Sequence, residues 1–68
     1  MIQAVLFDNT MWTSKEAKKY LKEHNIVPIK PVHVTKHLLR YRIIPPENFN
    51  SFSSKKLDYG ITLVFGYK

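Results

Sequence analysis

Trp12 to Ile26, WTSKEAKKYLKEHNI, carries helix signals at both ends, and the rest of the chain has to accommodate that helix. Thr13 followed by Glu16 makes a capping box, in which hydroxyl and carboxylate each accept from the other residue's backbone N–H. Trp12, just before the cap, is placed to pack on Ala17 as a hydrophobic staple. At the other end Asn25 suits a left-handed residue just past the helix. Ile26 can then fold back on Leu21, as in a Schellman ending. With about 100° per residue, Ala17, Tyr20, Leu21 and His24 share one side. Lys15, Lys18, Lys19 and Lys22 cluster on the opposite side, with Glu16 and Glu23 at one margin. The first side needs an apolar surface to lie on; the second faces solvent or a partner.

That surface has to come from a short chain. The 68 residues are expected to form one domain, 1–68. A core of this size supplies only ~3–5 kcal/mol, and small domains often add disulfides or metals. There is no cysteine here, so neither a disulfide nor a thiolate site is possible. No apolar run approaches the ~18 residues needed to span a bilayer. The start, MIQAVLFDN, lacks a basic region and places Asp8 directly after its short apolar run, unlike a signal peptide. A soluble, intracellular protein without membrane attachment is expected.

The remaining segments read as strands. Ile2–Phe7 is apolar on both faces except for Gln3, as in a central strand. Asp8-Asn9-Thr10 is turn chemistry. Pro28 and Pro31 exclude a helix and a central strand after Ile26, leaving an extended segment that can join a sheet edge from about Val32. Lys36–Ile44 alternates: Leu39, Tyr41 and Ile43 point one way, and Lys36, Leu38, Arg40 and Arg42 the other. We assign the tyrosine face to the core under the helix. Pro46 opens a short helical turn in which Phe49 and Phe52 can both plug the core. Ser53–Lys56 reads as a basic surface loop, Asp58-Tyr59-Gly60 as a turn, and Ile61–Tyr67 as a final strand. The fold class expected is α+β: one main helix on a small, mostly antiparallel sheet of three to four strands, in the order β-α-β-β-short helical turn-β.

Trp12 with Ala17, Tyr20-Leu21 and His24, then Arg40-Tyr41-Arg42, Pro46, Phe49 and a closing strand near Gly66, resemble a small domain of tailed-phage head-maturation (prohead protease-like) proteins and of short proteins of large DNA viruses. The resemblance spans Trp12 to Gly66. Tyr20 stands where that pattern more often has Trp, and Asn25 where it often has Gly. No protease catalytic region is present. The resemblance implies a viral or phage origin, a place in the host cell or virion rather than secretion, and a role near a genome or a particle.

Charge narrows the function classes. Eleven Lys and Arg against five Asp and Glu give +6, with a pI near 9.8, which favours polyanionic partners. Lys15, Lys18, Lys19 and Lys22 repel at i,i+4 spacing, and Lys15 opposes the helix dipole; a polyanion relieves both, although a solvated face needs no partner. Arg40 and Arg42, with Lys36, project from one strand face, and guanidinium forks match phosphate oxygens. Exposed Tyr59 or Tyr67 nearby would stack on bases. The competing use of the arginines is packing on rings or pairing with Glu47 and Asp58. His33 and His37 in an extended segment lie ~13 Å apart, too far to share one ion. No Gly-rich phosphate loop, nucleophile or deep pocket is legible, so neither an enzyme nor a cofactor is expected. The nucleic-acid-binding set is therefore Lys15, Lys18, Lys19, Lys22, Lys36, Arg40 and Arg42. The partner is nucleic acid, DNA or RNA, or alternatively an acidic protein met at the sheet edge near Val32–Val34 or at an exposed aromatic patch, in a virus-assembly role.

Overall fold

β1 (Ile2–Asp8) is the middle strand of an antiparallel five-stranded sheet in a computed structural model that describes residues 1–68. The other elements are α1 (Ser14–Glu23), β2 (His33–Val34), β3 (Leu38–Arg42), a 3₁₀ turn at Pro46–Asn48, β4 (Ser51–Lys56), a second 3₁₀ turn at Asp58–Gly60, and β5 (Ile61–Tyr67). The spatial order is β2-β3-β1-β5-β4. The apolar character of β1 on both faces matches its place: Ala4, Val5 and Phe7 are fully buried. Gln3, the polar exception, is buried too, and its side chain donates to the Ile44 carbonyl at 3.0 Å.

The expected α+β architecture with one main helix is found, but with five strands rather than three to four. The added strand is Ser51–Lys56, which contains the segment expected as a loop. All six of its residues are exposed, so it has no buried stripe to betray it. It is a strand because β5 offers a free edge, with Ser51 opposite Tyr67 and Lys56 opposite Thr62. A second correction concerns the phenylalanines. Phe49 is buried and lies over Gly66, where a Cβ would collide with its ring. Phe52 stays 48% exposed, its ring 6.0 Å from that of Phe49. Gly66 alternates with Thr62 and Val64, so Phe49 covers the sheet on the side away from the helix.

α1 begins and ends as its local chemistry dictates. The Thr13 hydroxyl accepts from the Glu16 N–H at 3.2 Å, and the Glu16 carboxylate accepts from the Thr13 N–H at 3.1 Å. Asn25 adopts φ 57°, Ile26 N–H donates to the Leu21 carbonyl at 2.9 Å, and Asn25 N–H to that of Lys22 at 3.1 Å, a Schellman pair. Ala17 and Leu21 are buried against Val5, Phe7, Leu39, Tyr41 and Ile61. Trp12 and Tyr20 close on Phe7 at ring distances of 5.0 and 5.7 Å, and Trp12 donates to the Tyr59 carbonyl. Tyr41 reaches the Ser14 carbonyl at 3.2 Å, tying the sheet to the first turn of the helix.

Candidate nucleic-acid interface

Strand registers define the sheet face that α1 leaves free. Val5 pairs with Tyr41 and with Leu63, and Phe7 with Leu39 and with Ile61, which places these residues under the helix. Their alternates form two rows on the other side. His33, Arg40, Leu6, Thr62 and Lys56 run in register across all five strands; Arg42, Ala4, Val64 and Ser54 make the next row. The arginines therefore point away from α1, as the alternation of β3 requires. Arg40 and Lys56 stand three strand spacings apart, ~14 Å at the usual separation. Leu6, Thr62 and Val64 between them are partly exposed, and Phe52 adds an exposed ring at the Phe49 end.

Cations outnumber carboxylates on this face: Arg40, Arg42 and Lys56 stand against Asp8 at its end, which lines a hollow with Lys56. No carboxylate is in register with either arginine: Arg40 faces Leu6 and His33, and Arg42 faces Ala4. Neither guanidinium takes part in the chain's side-chain hydrogen bonds. The Nε of Arg40 is buried with no acceptor. Glu47 approaches only at the margin, lining a cavity of about 70 Å³ with Arg42 and Lys30. Asp8, at the end of the same face, has its carboxylate engaged: it accepts from the Thr10 hydroxyl at 2.7 Å and the Thr10 N–H at 2.9 Å. Those two bonds, the hydroxyl first, hold its carboxyl below the usual range despite a smaller opposing effect of burial.

The expected site residues divide into two groups. Lys15, Lys18, Lys19 and Lys22 are exposed on α1, on the opposite side of the sheet from Arg40 and Arg42. No single ligand lying flat on one face reaches both groups. Lys36 falls outside β3, which begins at Leu38, and sits in an exposed turn whose carbonyl accepts from Asn9 Nδ2 at 3.1 Å. Neither tyrosine expected to stack on bases flanks the arginines. Tyr59 lies beside Trp12 and Met11 near the start of α1, and Tyr67 falls on the helix-side alternation of β5, bonded to Ser53 at 3.1 Å. The aromatics on the arginine side are Phe49, buried over Gly66, and Phe52, which is exposed. Lys56 was missed because the strand that carries it was read as a loop; its sign of charge was the only local signal.

Comparison with protein-family models, with curated proteins and with solved structures finds no match for this chain.

Proposed function

We propose that this chain is a non-enzymatic module that binds the phosphates of single-stranded nucleic acid across the helix-free sheet face, without reading sequence. The observation that carries this reading is the row geometry: Arg40, Arg42 and Lys56 rise from the helix-free sheet face, and its arginines have no carboxylate in register. Guanidinium forks hold phosphate oxygens in bidentate geometry, and the exposed Phe52 ring beside partly exposed Leu6 and Val64 suits unpaired bases, which stack on rings irrespective of identity. The resemblance to phage and large-virus proteins adds a viral genome as the natural setting for such a ligand.

Fluorescence anisotropy with labelled oligothymidylate and with a mixed-sequence strand tests it. Three phosphate contacts predict a slope of about −2 in log affinity against log salt, or a roughly 20-fold loss from 50 to 200 mM. Arg40→Ala with Arg42→Ala is expected to weaken both strands alike and to flatten the slope to about −0.7. Absence of binding, or an affinity indifferent to salt, rejects the reading. The second reading, a protein-interaction or assembly module, is favoured by a specific feature: β4 is six residues long, wholly exposed and paired on one edge only, open to strand addition. A protein partner retained after nuclease treatment supports that alternative.

A further inference from the structure

The C-terminal half of α1 and the segment that follows it line a groove of about 330 Å³ on the helix side of the molecule; its outer wall reaches the end of β3, where Lys30 also lines the small cavity beside Arg42. Its floor is apolar: Leu21 and Tyr41 are buried there, with Ile26 and Val32 packed against the same core. Its rim is basic on both walls. Lys18 and Lys22 stand one turn apart on α1, and Lys30 stands on the facing segment. No carboxylate lines it. Val27, 78% exposed, extends the apolar surface outward from the mouth.

The facing wall is held in place before any ligand arrives. The Schellman bond from Ile26 N–H to the Leu21 carbonyl fixes one end, and Ile29 N–H donates to the Arg42 carbonyl at 2.9 Å at the other. Pro28 stiffens the span between, Pro31 stiffens the chain just beyond it, and the two prolines remove two backbone donors. Strand addition is therefore not the mode of entry here; recognition falls to side chains in a preformed cleft, which lowers the ordering cost of binding.

Charge selects the occupant. A second copy of this chain, at +6, brings the wrong sign. A bare polyanion leaves the apolar floor unused. An amphiphile with one headgroup satisfies one wall, whereas lysines on both walls call for carboxylates on either side of an apolar anchor. We propose that this groove docks an acidic peptide segment that inserts one aromatic or aliphatic side chain onto Leu21, Tyr41 and Val32 while its flanking carboxylates meet Lys18, Lys22 and Lys30. The apolar floor lies on the other side of the sheet from Arg40 and Lys56, so the groove gives the molecule a second, chemically different partner.

Titration of the full chain with a fluorescein-labelled Glu-rich peptide carrying a single central Phe tests this. Saturable binding is expected, with backbone amide shifts confined to the end of α1 and the segment up to Val32. Replacing the Phe of the probe by Gly, or its Glu residues by Gln, is expected to weaken binding about tenfold or more. Val27→Asp, at an exposed position that leaves the core intact, is expected to do the same by placing a like charge at the mouth. Lys22→Glu with Lys30→Glu tests both walls. Arg40→Ala with Lys56→Ala, on the other face and away from Lys30, is expected to leave peptide affinity within about twofold, so failure here and failure of the nucleic-acid reading are separable. No binding by the unaltered chain, equal binding of the Gly-substituted or Gln-substituted probe, or full binding by Val27→Asp or by the double lysine variant with unchanged near-ultraviolet circular dichroism overturns the proposal. Shifts that map to β4 do so too.

Discussion

Asp8 shows what a single residue commits. Its carboxylate takes two bonds from Thr10 and organises the turn between β1 and α1, as a short acidic side chain in a turn is suited to do. The folded carboxyl therefore titrates below its ordinary value of 3.8. A carboxyl depressed on folding contributes stability that is present above the unfolded value and is lost as pH falls through the folded one. Thr10→Val removes the hydroxyl, the larger cause, and keeps the backbone N–H. The Asp8 titration midpoint followed by NMR is expected to rise in the variant. The stability difference between the two proteins is expected to persist above about pH 4 and to vanish below the folded value. An unmoved midpoint contradicts the assignment. This turn was legible because its chemistry spans three residues. The neighbouring Asn9 was not, since its amide donates to the carbonyls of Thr35 and Lys36, 26 and 27 positions away.

Elements differ in the same way. α1 is specified by side chains within it and beside it, so its start, its stop and most of its core-facing stripe were readable; Ala17 and Leu21 are buried and Tyr20 half-buried, while His24 is exposed. Thr13→Ala removes the acceptor for the Glu16 N–H and is expected to cost about 1 kcal/mol, seen as a fall in Tm of roughly 4–8 °C for a domain of this size. An unchanged Tm would show that tertiary contacts of Trp12 and Tyr20, not the cap, hold the first turn. β3 was readable through strict alternation, and β1 through its doubly apolar faces. β4 was not, because SFSSKK carries neither pattern. An edge strand exposed on both faces owes its conformation to the hydrogen-bonding edge it meets, and that edge belongs to β5.

At the scale of the molecule, the excess of positive charge is split by the sheet. The lysines stand on α1 and the arginines on the opposite face of the sheet, in a molecule 19 Å across at its narrowest. That separation exceeds the screening length of ~8 Å at physiological salt. Substituting Lys15, Lys18, Lys19 and Lys22 together by Gln is therefore expected to leave nucleic-acid affinity within about twofold at 0.15 M salt, while the double arginine variant loses most of it. Comparable losses from both sets would mean that the ligand wraps around the domain. No helix here is long and apolar enough to cross a membrane.

Helix limits, the doubly covered first strand, the Asp8 turn and the face assignment of β3 all follow from the sequence alone, because periodicity and short-range hydrogen bonding act over a few residues. Tertiary structure alone decided that a fifth strand forms, that Phe49 packs on the far side of the sheet over Gly66, and that the lysines and arginines part company. Each of these depends on which edges and faces meet after chain closure, and the free energy that selects them comes from surfaces distant in sequence.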